Sequence, residues 1–257
     1  TTAQVSALTA SQVEVLTIPQ LVAMTTAQIA ALTSPLSDEQ QVARDVGALT
    51  TAAVRSLTTA QVAAWSTAHA AALSSAQVAA MSTAQVRAFE TADLQALSAS
   101  VITGMTSSQV AALTTAQVAA LTTVQIAAIE VADLRVLSAA QIAALTSEQF
   151  SALTRIQAAS LSTAQLRALE ASDLSALSTA AVANLSAVQL ESLSTAQMLA
   201  LTTEQLQALT TIQVKALASA QVAALGTEQL AALSAAQVAA LETTDIVALS
   251  TAQIQAL

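Results

Sequence analysis

The chain has 257 residues, of which 54% are hydrophobic, 9% charged and 1% aromatic; its formal net charge is −9 and it contains no cysteine. The acidic balance argues against a nucleic-acid partner, because phosphate binding requires a basic surface. Without cysteine the chain can form neither disulfides nor thiolate metal sites. Ser, Thr and Gln interrupt the apolar residues every eight positions, so no run is long enough for a transmembrane helix.

An eight-residue repeat, here called the octad, has the consensus (S/T)-T-A-Q-V-A-A-L and fills almost the whole chain. Residues 1–32 form four octads, residues 33–49 are irregular, and residues 50–257 form 26 octads without a slip. We number the octad so that Ser/Thr is position 1 and Leu is position 8. Short periods of this kind are typical of solenoids and fibrous arrays. We therefore predict a single repeat array over residues 1–257, either processed or part of a longer array.

Each regular octad predicts one helix of less than two turns. Position 1 is Ser or Thr in 24 of the 30 regular octads and position 4 is Gln in 22, which gives the S/T-x-x-Q capping box. The Leu before the N-cap and the Val at position 5 form a hydrophobic staple. A continuous helix is disfavoured, because eight residues overshoot two turns by roughly 80° and the Leu stripe would wind around it. A β-solenoid remains the alternative, since Thr and Val favour strands.

The predicted fold class is therefore all-α, a solenoid or superhelix of very short capped helices. A helix of seven residues is unstable alone in water, so each octad has to be held by its neighbours. We expect positions 5 and 8, with the Ala residues at positions 3 and 7, to face a common interior. Position 6 should face solvent, because it tolerates residues such as Arg55, Arg135 and Ser175.

The irregular segment 33–49 holds Pro35, Gly47 and the densest charge in the chain. Its Ser37–Gln40 stretch is another capping box, from which a longer helix can run toward Leu49. We predict a bulge or an offset of the superhelix in this segment, with preferential proteolysis near residues 33–38.

Four octads carry Glu at position 1 and Asp at position 4. The pairs are Glu90 with Asp93, Glu130 with Asp133, Glu170 with Asp173, and Glu242 with Asp245. A reversed capping pair stabilised by the helix dipole explains them, and weak calcium binding between aligned acidic octads is the alternative. The first three pairs recur every 40 residues. This spacing indicates either duplication of a 40-residue block or five octads that complete a whole number of turns.

The sequence predicts no catalytic, cofactor-binding or metal-binding residue, and no enzymatic activity. The single histidine, His69, replaces a position-4 Gln and is interpreted as a variant capping residue. Trp65 replaces a position-8 Leu and is expected in the core. No Ser has a His or Lys base in a suitable arrangement, and no Gly-rich phosphate loop occurs.

The consensus, as in residues Leu113 to Leu121, resembles octapeptide repeat arrays in large exported or surface proteins of proteobacteria. That resemblance implies a structural or adhesive role. We predict a rod, stalk or filament that is extracellular or at the cell surface. We also expect end-to-end self-association, because neither terminal octad looks like a polar cap. The alternative is a binding scaffold or adhesin that recognises a protein, glycan or ice through its outer face. Rows of one residue type at positions 2 and 6 would favour that alternative.

Overall fold

The computed structural model describes residues 1–9, 12–13, 16–17, 20–21, 23–31 and 46–257. Within these residues the chain forms 28 α-helices of four to six residues and no β-strand. The helices are Thr2–Val5, Thr26–Ala31, Thr51–Ser56, Thr59–Ala63, Thr67–Ala71, Ser75–Ala80, Thr83–Arg87, Thr91–Ala96, Ala99–Thr103, Ser107–Ala112, Thr115–Ala120, Thr123–Ala128, Val131–Val136, Ala139–Ala143, Ser147–Ser151, Arg155–Ser160, Thr163–Arg167, Ala171–Ala176, Thr179–Val182, Ala187–Glu191, Thr195–Leu199, Thr203–Gln207, Thr211–Lys215, Ser219–Ala223, Thr227–Ala231, Ala235–Val238, Thr243–Ala248 and Thr251–Ala256.

The helices begin at position 2, directly after the predicted N-cap. The octad 114–121 is representative: Thr114 has extended dihedral angles (φ −75, ψ 160), the helix spans Thr115–Ala120, and Leu121 returns to φ −58, ψ 142. An extended residue cannot continue a helix, so positions 8 and 1 together form the corner between consecutive helices. The prediction of one short capped helix per octad is confirmed.

Helices pack against each other at a constant sequence spacing within each of two compact units, Thr1–Val136 and Leu137–Leu257. In the first unit the helix Thr67–Ala71 packs on Thr91–Ala96, three octads further on. In the second unit the helix Ser219–Ala223 packs in the same way, again with a helix three octads away. Hydrogen bonds between successive turns join residues 25 to 31 positions apart. One turn of the solenoid therefore takes between three and four octads.

The three-octad interval between packed helices decides whether the acidic octads can stack on one another. Because packed helices lie three octads apart, two octads that are five places apart do not stack on one another. Asp133 accepts a hydrogen bond from Ser107, 26 residues earlier. Within the first unit, the interpretation that five octads complete a whole number of turns is therefore wrong, and so is a calcium site between the aligned octads of Asp93 and Asp133. Duplication of a 40-residue block stays a prediction.

The core is formed by positions 4, 5 and 8. In the octad 114–121, Val118 and Leu121 are buried, as predicted, but the buried polar residue Gln117 lies beside them. Ala116 at position 3 is exposed and Ala120 at position 7 is half-buried, so the predicted inward stripe of positions 3 and 7 is wrong. Positions 4 and 8 are one helical turn apart and position 5 adjoins them, whereas position 3 lies about 100° further round.

Only residues 46–49 of the predicted irregular segment are described. Gln77 Nε2 donates to the carbonyls of Val46 and Leu49, both at 2.8 Å, which lie 31 and 28 residues earlier. These are the spacings found between regular octads. Residues 46–49 therefore have the contacts of positions 5 to 8 of an octad, although they lie in the predicted irregular segment. The rest of that prediction, including Pro35 and Ser37–Gln40, falls outside the described residues.

The hydrogen bonds that join residues on the two sides of the segment can be compared with the regular bonds between turns. Gln61 Nε2 donates to Leu21 and Met24, which are 40 and 37 residues earlier. Both separations exceed the regular spacings of 31 and 28 by nine residues. The segment 33–49 is itself nine residues longer than an octad. The contact between Gln61 and the Leu21 and Met24 carbonyls is therefore the ordinary contact between turns, at a sequence separation longer by nine residues.

Candidate functional site

The repeated functional feature of the chain is the side chain at position 4. In the octad 122–129, the Thr122 N–H donates to Gln125 Oε1 at 2.8 Å, and the Gln125 N–H donates to Thr122 Oγ1 at 3.2 Å. This is the predicted capping box. The amide group then reaches the previous turn, where Nε2 donates to the carbonyls of Leu94 and Leu97, both at 2.7 Å. One side chain thus caps its own helix and ties it to the helix end beneath.

The same arrangement recurs in the second unit. Gln205 accepts from the Thr202 N–H at 2.9 Å and donates to the carbonyls of Leu174 and Leu177 at 2.9 and 2.7 Å. Gln205 is 1% exposed. A buried amide with every donor and acceptor satisfied is stabilising, whereas loss of its partner groups costs about 1–3 kcal/mol. We call this repeated contact the glutamine ladder.

Sequence reasoning found the capping half of the ladder and missed the half that joins two turns. The signal was present in the composition of position 4. A capping box accepts either Glu or Gln, yet Glu occupies position 4 in none of the 30 regular octads. A carboxylate can accept from the N-cap N–H but cannot donate to the carbonyls below. The preference for Gln therefore indicates a second, donating role.

His69 fills the position-4 site with an imidazole. Its Nδ1 accepts from the Ser66 N–H at 3.0 Å, so the interpretation as a variant capping residue is confirmed. The ring is buried and stacks on Trp65, with centroids 6.2 Å apart. Burial lowers the pKa of His69 to about 4. Trp65 is buried and also contacts Phe89, which confirms its predicted place in the core.

Asp at position 4 keeps the accepting half of the ladder and loses the donating half. The Glu242 N–H donates to Asp245 Oδ2 at 2.9 Å, which is the predicted reversed capping pair. The other carboxylate oxygen, Oδ1, accepts from Ser219 Oγ at 2.8 Å. Serine–aspartate contacts of this kind join Ser107 with Asp133, Ser147 with Asp173, and Ser219 with Asp245. A hydroxyl from the turn below thus takes the place of the carbonyl contacts.

The outer surface is formed mainly by positions 2, 3 and 6. Position 6 is exposed at Arg55, Arg135 and Ser175, as predicted, and other octads place Ala or Gln there. Position 3 carries four exposed β-branched residues, Val124, Ile156, Val188 and Ile212. Those four are separated by three or four octads. Position 2 is Thr in 17 of the 30 regular octads, whereas neither position 3 nor position 6 repeats one large or charged residue type.

Within the described part of the chain, no group of three His, Cys, Asp or Glu side chains lies close enough to hold a metal ion. The described helices are all too short and too frequently interrupted to cross a membrane.

The helices, the constant packing interval and the glutamine ladder together define an α-solenoid repeat protein. The model of the ALTTAQ repeat family matches residues 43–75, 86–123, 126–163, 166–203 and 200–235. These matches cover more than half of the chain, which therefore belongs to the ALTTAQ repeat family. The motif runs across the corner between two octads, as in Ala112–Gln117. No curated protein matches the chain.

Proposed function

We propose that the chain is a structural spacer, a rod or stalk that carries no catalytic site and acts outside the cell or at its surface. The glutamine ladder is the observation that carries this proposal. Within each unit it joins successive turns through buried hydrogen bonds, for example from Gln125 to Leu97 in the first unit and from Gln205 to Leu177 in the second. Turns tied in this way resist bending and extension within a unit.

The residues at position 6 favour a spacer over a binding scaffold. A scaffold for a regular ligand needs the same side chain in octads that stack on one another, three octads apart. Position 6 instead holds Arg87, Ala111 and Arg135 in three such octads. An extracellular or surface location rests on the resemblance to exported repeat arrays. Protease treatment of intact cells tests it: rapid loss of the protein is expected, and complete protection would contradict the location.

End-to-end association is the second part of the proposal, and the two ends of the chain are complementary. Gln4, Gln12 and Gln28 accept within their own octads, but their amide nitrogens donate to no carbonyl of the described residues. At the other end Ile254 is 42% exposed and Leu257 39% exposed. One end therefore offers donors, and the other offers an uncovered apolar surface and helix-end carbonyls that no glutamine amide of the described residues reaches.

The repeat keeps its phase across such a junction. If Thr1 of a second copy follows Leu257 of the first, Gln4 of the second copy falls 31 residues after Leu230 and 28 residues after Leu233. These are the spacings of the glutamine ladder. A contact between unlike ends does not close on itself, so it builds open filaments.

Analytical ultracentrifugation over a range of concentrations tests the association. We expect the mean mass to rise with concentration, and Ile254→Glu to suppress this rise. Ile212→Glu is the matched control, because Ile212 is 75% exposed on the outer surface of an internal octad. A wild-type chain that stays monomeric at the highest concentration, or an equal effect of the two substitutions, would contradict the proposal.

A further inference from the structure

One acidic octad leaves a buried carboxylate oxygen without a partner. Asp93 is 3% exposed, and its Oδ2 atom has no hydrogen-bond partner within the described residues. Its carboxylate accepts one bond, from the Glu90 N–H. The three other position-4 aspartates each accept from a serine 26 residues earlier. At Asp93 the residue in that place is Thr67, and no bond joins the two.

The neighbouring Gln octads show what lies opposite a position-4 side chain. Gln85 Nε2 is within reach of three carbonyl oxygens, those of Val54 at 2.9 Å, Arg55 at 3.3 Å and Leu57 at 2.7 Å. Gln125 Nε2 meets three carbonyls with nearly the same distances. In both octads the end of the helix below directs three carbonyl oxygens at one point, 31, 30 and 28 residues before the position-4 residue.

For Asp93 the equivalent carbonyls belong to Val62, Ala63 and Trp65. No described donor reaches the Trp65 carbonyl from the turn above, because a carboxylate takes the place of the donating amide. Carboxylate and carbonyls all carry negative charge density, and the end of a helix adds the negative pole of its dipole. Burial, together with the nearby negative charge of Glu90, raises the pKa of Asp93 against the lowering effect of the Glu90 N–H.

We propose that the Asp93 carboxylate and the carbonyl oxygens of Val62, Ala63 and Trp65 bind a hard divalent cation of the calcium class. Carboxylate and carbonyl oxygens are the ligands that such cations prefer, at 2.3–2.6 Å. The cation replaces the amide nitrogen of a Gln octad as the positive partner of the three carbonyls. Glu90, three residues before Asp93, supplies a second negative charge at the rim. This site lies between one acidic octad and the turn beneath it, and it is independent of the spacer function.

The single tryptophan of the chain makes the site directly observable. Tb³⁺ has the ligand preference of Ca²⁺ and emits when an excited tryptophan lies very close to it. Because Trp65 supplies one of the proposed ligands, we expect Tb³⁺ emission on excitation of Trp65 in the wild-type protein, and we expect Ca²⁺ to displace it. Asp93→Gln installs the residue most frequent at position 4, so this variant should fold and lose most of the emission. Asp133→Gln is the matched control and should retain it.

A second measurement, the unfolding temperature with and without Ca²⁺, should show an increase for the wild type and none for Asp93→Gln. The proposal is overturned if the wild type shows no sensitised emission, if Ca²⁺ does not displace Tb³⁺, or if Asp93→Gln retains the emission. It is equally overturned if Asp93→Gln changes only the pH dependence of unfolding while neither protein responds to the cations, because Asp93 is then a buried neutral acid.

Discussion

Two octads of the second unit, 202–209 and 250–257, have the same local structure and very different surroundings. The Leu206 N–H donates to the Thr202 carbonyl at 3.0 Å, and the Ile254 N–H donates to the Ser250 carbonyl at 2.9 Å. Leu206 is fully buried, whereas Ile254 is 42% exposed. Both octads have a complete capping box, and their helices, Thr203–Gln207 and Thr251–Ala256, differ by one residue in length.

The difference lies in what covers each octad. Octad 202–209 has a turn on both sides, and its Leu206 carbonyl receives a hydrogen bond from Gln237 of the turn above. Octad 250–257 has only the turn below, to which Gln253 donates at 2.8 Å. The octad therefore encodes the helix and its corner, while burial comes from turns that lie three to four octads away. A short helix without such cover is marginal in water.

The largest expected effect comes from the core residue of the covered octad. Leu206→Ala should lower the free energy of unfolding by about 2–5 kcal/mol, because it leaves a cavity between two turns. Ile254→Ala should cost about 1 kcal/mol or less, since the side chain is only partly buried. Chemical denaturation of both variants measures the difference, and equal costs would show that burial between turns does not stabilise the octad.

The glutamine ladder should produce the next largest effect. Gln205→Ala removes a buried amide that contacts two carbonyls of the previous turn, and should cost about 1–3 kcal/mol. Gln4→Ala is the matched control at concentrations where the protein is monomeric, because the Gln4 side chain then lies in an exposed octad and only caps its own helix. We expect the control to cost about 1 kcal/mol or less. Similar losses would mean that capping alone explains the position-4 glutamines.

The buried His69 should make the free energy of unfolding depend on pH. The unfolded chain binds a proton at His69 below its ordinary pKa of 6.5, whereas the folded chain does so only below about 4. The stability contributed by neutral His69 is thus complete above pH 6.5 and is lost as the pH falls from 6.5 to 4, by up to about 3 kcal/mol.

His69→Gln should remove this loss, and subtraction of the two unfolding profiles isolates it. Burial raises the pKa values of Asp93 and Asp173, so those two groups act in the opposite direction and gain stability as the pH falls. They are present in both proteins and cancel in the subtraction. Identical profiles for the two proteins would place His69 in contact with solvent.

The smallest effect is expected on the outer surface. Arg135→Ala at position 6 should change the free energy of unfolding by less than about 0.5 kcal/mol, because the side chain is exposed. A cost comparable to that of Leu206→Ala would reverse the assignment of inner and outer faces.

The sequence predicts the helix, its cap and its corner correctly, since all three depend on residues within one octad. Thr114 and Gln117 are three residues apart, and this spacing alone defines their reciprocal hydrogen bonds. The number of octads in a turn could not be predicted in this way. It depends on contacts between residues such as Gln117 and Phe89, which lie 28 positions apart.

The burial of Gln117 could not be predicted from its residue type. An amide is polar, and polar residues usually indicate a solvent-exposed position. Only the carbonyls of the previous turn make its burial favourable, and those carbonyls are supplied by another octad. The same reason explains the error over position 3: Ala116 is apolar but lies on the outer side of a helix that is too short to bury two faces.

Hydrogen exchange of single backbone amides tests most directly the claim that turns, and not octads, are the units of stability. The Leu206 and Ile254 amides have nearly identical helical hydrogen bonds, of 3.0 and 2.9 Å, and differ in cover. In the monomeric protein, we expect the Leu206 amide to exchange only through cooperative opening of the stack, and the Ile254 amide to exchange orders of magnitude faster through local fraying. Equal protection of the two amides would contradict this claim, because each octad would then be stable on its own.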